Sequence, residues 1–440
     1  MSGFGELTGS YTLHPGAAVS ITGHRPVLGQ GLLTRLLRGQ GGEQVERTLA
    51  ALFTLCSHAH RRAARLALNA ARLPDQAALP EPPALLLTLE TARDHLRSMA
   101  LDWPRQLARL DLVRLANHAS NQPLAHDVVA LDAIDREAIN WLKACPLPLA
   151  QPAQALTDAQ TQEALLALRT WLQERVLQQP LEDWLAQHRA PEALAHWCRS
   201  RAADLPPARF LATCHALASN LSPAGLLLEV LNDDAPTQKA QLTDLAQHIA
   251  TQTGFAQFPT WNGQCQETGP WTRLCHRARL ANGQNTATTS AWTRLASRWL
   301  ELIELVFLST RDAGFLGSDS NFHAQHPPGT TEGWWKLDSD PNKPDLQKTP
   351  LSAGALNLAQ GQAIAWVEMA RGLLLHWVQL DAEGNVADYR VIAPTEWNFH
   401  QGGALARAVR ALPPDDTASA WVLAAAYDAC VQCSVAVSST

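Results

Sequence analysis

Three of the eight cysteines in this 440-residue chain lie in two short segments with chemical potential. Near its end the sequence reads DACVQC, with Asp428 just before Cys430 and Cys433, and near its start FTLCSHAHRRAA sets Cys56 beside His58 and His60. A Cys-x-x-Cys pair admits three chemistries: the thiolates share a metal ion, the pair cycles through a disulfide, or both thiols lie inert in a core. Cys56 by itself is a weaker signal, because a lone cysteine on an Ala/Leu-rich helix is usually a core hydrophobe and histidines among arginines are usually solvated. Cys56, Cys430, Cys433 and either His58 or His60 have a spacing that a structural tetrahedral zinc site tolerates. A dithiol oxidoreductase fits poorly, since no βαβ pattern adjoins CVQC. Cys145, Cys198, Cys214, Cys265 and Cys275 show no regular pairing and read as core residues.

The elements that must position these thiols are mostly helical. From about Gly42 to Leu308, apolar residues recur at three- and four-residue steps, as in EALLALRTWLQERVLQQ and SAWTRLASRWLELIELVFL. Proline-containing breaks separate the helices, and no fixed-period repeat is present. HRRAARLALNAARL reads as the solvated face of an amphipathic helix. At Arg311 the composition changes to a long Gly/Pro/Asp/Ser-rich segment, expected to be a functional loop. LLLHWVQL and VADYRVIA, joined by DAEGN, predict a β-hairpin. GGALARAVRAL and ASAWVLAAAYDACVQC return to helix, which places Cys430 and Cys433 on one face near the end of an apolar helix. The expected organisation is a mainly helical part over 1–310 carrying Cys56, then 311–440 with the loop, the hairpin and the Cys-x-x-Cys helix, together one compact domain.

Composition narrows the function classes. With 46% hydrophobic residues the chain can bury a large core. Its 35 Lys and Arg against 41 Asp and Glu give a net charge of −6, so neither nucleic acid nor an anionic membrane is an expected partner. The first residues lack a charged region followed by an apolar run, and no stretch approaches a membrane span, so a cytoplasmic location is expected. In that reducing compartment the eight cysteines are not expected to form a disulfide framework.

Together the cysteine segments and VEMARGLLLHWVQLDAEGNVADYRVIAPTEWNF resemble the large subunit of nickel-iron hydrogenases. That family carries C-G-x-C-P-x-x-H near its start and D-P-C-x-x-C-x-x-H at its end. Here Cys56, Asp428, Cys430 and Cys433 are kept, while Ala59 replaces the second cysteine, Ala63 the histidine, Ala429 the proline and Ala436 the last histidine. Glu368, Arg371, Gly372, His376, Trp377, Pro394, Thr395, Trp397 and Asn398 hold the places of the family's E-x-P-R-G and V-P-T-T-W-N segments, with Ala370 for the first proline. The strong resemblance spans roughly Trp366 to Cys433, plus the Cys56 segment.

The resemblance implies a mainly α fold with smaller α/β parts: a hydrogenase-large-subunit-like helical bundle with a C-terminal β-hairpin region and a metal pocket at its centre. It implies Cys56, Cys430 and Cys433 as metal ligands, Cys433 touching iron directly and the other two nickel only. It implies Arg371 and Thr395 as donors to iron-bound cyanide. With Ala59 in place of one bridging thiolate the doubly bridged nickel-iron centre is not expected, nor is nickel, nor hydrogen turnover. The histidine replaced by Ala436 falls where the family's maturation protease acts, and no processing of this chain is expected. Such a reduced pocket is similar to the HupK/HoxV group of maturation proteins. That similarity implies a non-enzymatic scaffold transiently holding an Fe(CN)2(CO) fragment, with a small iron-carrier chaperone and the hydrogenase large-subunit precursor as partners. The zinc reading leaves MARG and APTEWNF unexplained.

Overall fold

The computed structural model describes residues 8–29, 31–73, 77–103, 131–147, 156–231, 235–282, 289–311 and 351–436. Five helices carry the argument: α1 (Ser57–Ala71), α2 (Ala84–Arg97), α3 (Ala291–Thr310), α4 (Pro394–Asn398) and α5 (Thr417–Tyr427). Helix α3 is the axle of the helical part. The Ser290 hydroxyl caps its start by accepting from the Thr293 N–H at 3.2 Å. It then buries Trp292, Leu295, Trp299, Leu302 and Val306 against α2, α5 and the helices Asp158–Trp171 and Pro206–Asn220. A helix buried on nearly every side must be surrounded by others, and this one is.

Among the described residues nine strands form three small sheets. β1 (Ser10–Leu13) pairs antiparallel with β2 (Ile21–His24), and the short β3 (Leu226–Leu227) and β4 (Gln266–Glu267) pair in parallel. A four-stranded antiparallel meander runs β5 (Ala353–Ala359), β6 (Gln362–Met369), β7 (Gly372–Leu380), β8 (Val386–Ile392). The last strand, β9 (Gln432–Val435), pairs in parallel with β1, Cys433 lying opposite Tyr11.

The meander extends the predicted hairpin by two strands, β5 and β6, on the β7 side. On β7, Leu374, Val378 and Leu380 pack toward α1, while Leu373, Leu375 and Trp377 pack toward the helix Ala235–Thr251. With both faces covered, the strand reads as a continuous apolar run rather than an alternation. On α1, Ala59, Ala63, Ala67 and Ala71 recur every fourth residue, are fully buried, and let the helix lie close against β6 and β7. Ala59 and Ala63, the positions where the hydrogenase motif carries cysteine and histidine, are thus methyl groups in a helix-on-sheet core.

Three expectations are corrected. Helix α5 ends at Tyr427, so Cys430 and Cys433 do not share a helical face. Asp428 takes a left-handed conformation at φ +46°, and Cys433 then joins strand β9. Long-range pairing with β1 overrides local helix propensity, and Val431, Cys433 and Val435 alternate toward the helical core as a strand would. His58 and His60 are buried rather than solvated: His60 stacks on Phe53 and its Nδ1 lies 3.0 Å from His376 Nε2. Cys265 is only partly buried, its sulfur 3.1 Å from His400 Nδ1. The arginines of α1 do take its half-exposed face, Arg65 pairing with Glu46. The predicted functional loop falls largely on 312–350, outside the described residues. Among the described residues no helix is long and apolar enough to cross a membrane.

Candidate functional site

Four separate segments deliver side chains to one buried pocket. Cys56 immediately precedes α1, at the end of a single 3-10 turn. Arg371 lies in the two-residue turn joining β6 to β7. That turn is pinned from behind, because Met369 and Ala370 carbonyls accept from Arg273 at 3.1 Å and Arg298 at 3.0 Å. Gly372 closes it at φ +131°, where an added Cβ would stand 2.7 Å from the Thr268 side chain. Pro394 opens α4, its fixed φ suiting a first helical turn, and so sets Thr395 and Glu396 facing inward. Finally the left-handed bend at Asp428 turns the chain so that Cys430 meets α4. The Cys430 N–H donates to Thr395 Oγ1 at 3.2 Å, and that hydroxyl lies 3.0 Å from the Cys430 sulfur. Leaving a non-glycine residue in the left-handed region costs roughly 1–2 kcal/mol. Two ion pairs of the Asp428 carboxylate, with Arg298 at 3.2 Å and Arg371 at 3.3 Å, offset that cost.

Helix α2 supplies the floor. Glu90, Asp94 and Ser98 recur at four-residue steps and therefore share one face. Glu90 caps α1, accepting from the N–H groups of His58 at 2.8 Å and Ala59 at 2.9 Å. Asp94 accepts from Arg371 Nη1 at 3.3 Å, and the Ser98 hydroxyl donates to Asp428 at 3.3 Å. A sixth segment adds Arg25, held extended by the following Pro26. Its Nη1 donates to the Cys430 sulfur at 3.2 Å and pairs with Glu396 at 3.6 Å. Tyr11 of β1 completes the wall by donating to Glu396 at 3.4 Å.

The electrostatics follow from burial. Burial, then the neighbouring Cys430 and Glu90, pushes the Cys56 thiol well above its usual range, against the pull of Arg371. Burial and the nearby Asp94 push Glu90 up to about 7 despite its two backbone donors. For Arg371 burial disfavours the charge, but Asp428, Asp94, Cys430 and Cys56 more than compensate and hold it above the ordinary value. Arg25 is held up in the same way by Cys430, Glu396 and Cys56. Both guanidiniums therefore stay charged in a buried pocket and face the same two sulfurs. Cys430 is the half-exposed member, which makes it the mouth of the site.

The structure thus brings together Cys56, Cys430, Arg371 and Thr395 of the sequence-predicted residues. Cys433 stands apart on β9, packed against the helical core, its thiol pushed up to about 12 by burial. Among the described residues no three His, Cys, Asp or Glu side chains converge to hold a metal ion, so Cys56, Cys430, Cys433 and a histidine are not assembled as the zinc alternative requires. Sequence reasoning missed Arg25, Glu90, Asp94, Arg298 and the role of Glu396. The four-residue polar steps Glu90, Asp94, Ser98 and Arg294, Arg298 inside otherwise apolar helices were the available signal. Arg25 had none beyond its place before a proline.

The chain matches the nickel-dependent hydrogenase family over residues 232–435, a span that takes in Arg371, Thr395, Cys430 and Cys433 but neither Cys56 nor Arg25. It is similar to the hydrogenase expression/formation protein HoxV of Cupriavidus necator, at 37% identity over 438 residues, covering 97% of this chain and 94% of that protein. It is also similar to the hydrogenase expression/formation protein HupK of Bradyrhizobium diazoefficiens, at 26% identity over 406 residues, covering 91% and 88%. Among solved structures, the NiFeSe-hydrogenase of Dm. baculatum aligns over 94% of this chain and 93% of its own, with 12% identity and a TM-score of 0.47.

Proposed function

The chain belongs to the family of hydrogenase expression/formation proteins that includes HoxV and HupK, and we propose that within it this protein holds an Fe(CN)2(CO) unit for transfer to a hydrogenase large-subunit precursor. The observation that carries the reading is the pairing of two thiols with two buried guanidiniums in one pocket with a half-exposed mouth. Thiolates are soft donors suited to iron, and two of them grip a metal fragment without the closed four-ligand cage that would retain it. Iron-bound cyanide carries acceptor nitrogens into a dry site, where unmet acceptors are costly. Arg371 supplies fixed charge-assisted donors there, and Thr395, already in contact with Cys430, supplies a hydroxyl. Ligation replaces the proton that burial keeps on Cys56.

The protein is then an accessory factor rather than a hydrogenase. Ala59 and Ala63 fill positions of the hydrogenase motif with buried methyl groups. It acts in the cytoplasm, receives iron from a small carrier chaperone and delivers it to the unprocessed large subunit. Infrared spectroscopy of protein purified without air from its native host tests the reading, because iron-bound cyanide and carbonyl absorb in an otherwise empty region. Cyanide and carbonyl bands with about one iron per chain are expected for a one-site scaffold. Iron-free protein without those bands, from cells actively maturing hydrogenase, defeats the proposal. Native pull-downs from the same cells are expected to recover the precursor and the carrier.

A further inference from the structure

Arg25 is the least expected member of the pocket. It is 3% exposed, lies over the Phe53 ring at 5.1 Å, and reaches Cys430 across 405 positions of sequence. We infer that Arg25 restricts the Cys56 and Cys430 sulfurs to metal that arrives already carrying anionic ligands, and keeps bare divalent cations off them. The inference rests on the scaffold reading and names what that scaffold accepts.

Three observations support it. A bare ion such as Zn2+ needs about four donors, but only two sulfurs converge here. The other groups in reach are guanidiniums, which carry donors and no acceptor, the Thr395 hydroxyl, and carboxylates that each face a cation or a donor: Glu396 with Tyr11 on one oxygen and Arg25 at 3.6 Å from the other, Asp94 and Asp428 with Arg371, and Glu90 with the His58 and Ala59 N–H groups. The Arg25 cation, in direct contact with the Cys430 sulfur, would then lie against any divalent ion placed there, and like charges in a buried site repel strongly. A fragment bringing its own anions reverses both terms. It needs fewer protein ligands, and its outward acceptors meet donors that the fold leaves open: the Nε atoms of Arg25 and Arg371 are buried without a hydrogen-bond partner among the described residues. Arg371 Nε lies 3.3 Å from Asp428 Oδ2, an ion-pair distance without hydrogen-bond geometry.

The test titrates metal-free full-length protein with zinc chloride and with nickel chloride under anaerobic conditions, by calorimetry, comparing wild type, Arg25→Gln and the double variant Arg25→Met with Glu396→Gln. The double variant removes both charges of the buried pair, so it is the one expected to keep the fold, which circular dichroism checks. If Arg25 excludes bare cations, both variants bind zinc at least about tenfold more tightly than wild type. A Cys56→Ser, Cys430→Ser background should abolish that gain. Wild type binding one zinc per chain as tightly as either variant overturns the inference, and so does a gain that survives loss of the two cysteines. The scaffold reading fails separately, by absent cyanide and carbonyl bands in wild type, whatever the zinc titration gives.

Discussion

Two buried arginine networks meet at neighbouring residues of the chain, and they are built on opposite terms. Tyr427 closes the first: its hydroxyl donates to Glu267 at 2.8 Å, and Glu267 is bound by Arg294 at 2.8 Å. Every guanidinium nitrogen of Arg294 has a partner, the others being the carbonyls of Pro223, Thr289 and Ser290. Asp428, the next residue, belongs to the second, where among the described residues Arg25 and Arg371 each keep an Nε without a hydrogen-bond partner and the two thiols are joined by no third metal-ligating side chain. A saturated network has no capacity left for a ligand and serves the fold. An unsaturated one, equally buried, stores donors at a cost that a ligand can relieve. One turn of backbone separates the two roles.

Substitutions at the two networks should therefore separate binding from stability. The largest effect on binding is expected from Cys430→Ser, which replaces the sulfur at the mouth with a poor ligand: iron retention should fall by more than about a hundredfold, read by metal analysis and the cyanide and carbonyl bands. Iron loading equal to wild type would take the pocket out of the function. On the closed side, Arg294→Met strands the buried Glu267 carboxylate and should cost about 3–5 kcal/mol of stability in denaturant melts, while the folded fraction still loads iron. Arg371→Ala should do the reverse. Cargo retention should drop by roughly 2–4 kcal/mol with shifted cyanide bands. The fold should survive, because Asp428 keeps Arg298 at 3.2 Å and Asp94 keeps Arg93 at 3.7 Å.

A smaller effect is expected from acid. Burial lowers His376 to about 3, so the fold holds this ring neutral, between His60 and the Tyr389 hydroxyl. Above pH 6.5 folded and unfolded chains carry the same charge there. Below it the unfolded chain takes a proton that the folded chain refuses, so stability falls as pH drops from 6.5 toward 3. His376 alone should account for roughly 1.5 kcal/mol between pH 6.5 and 5, seen as a flatter pH profile in His376→Gln. The smallest effect is expected from Cys433→Ser. On β9 its sulfur packs against core side chains, so the change should cost less than about 1 kcal/mol and leave loading within about twofold. Loss of iron in this variant would instead return Cys433 to the ligand set.

The contiguous part of the site was legible in the sequence. Arg371, Thr395 and Cys430 lie in a stretch whose motif could be read residue by residue, and they do converge. Cys433 had equal standing in that motif and was separated from Cys430 only by its pairing with Tyr11. The histidines of α1 looked solvated because their neighbours are arginines, yet both are buried, Phe53 and His376 enclosing His60.

By itself, then, the sequence determined what depends on near neighbours: helix periodicity over the middle of the chain, the hairpin of β7 and β8, and the order of motif residues from Arg371 to Cys430. Tertiary structure alone decided what depends on distant ones. It set Arg25 against Cys430 and Asp94 against Arg371, contacts that bridge 405 and 277 positions. It also ended α5 one residue before Asp428 so that β9 could reach β1. The physical reason is that a buried charge is stable only beside its partner, and a strand only beside its neighbour. Neither partner is announced by local spacing, because each is chosen by which surfaces the packed core brings together.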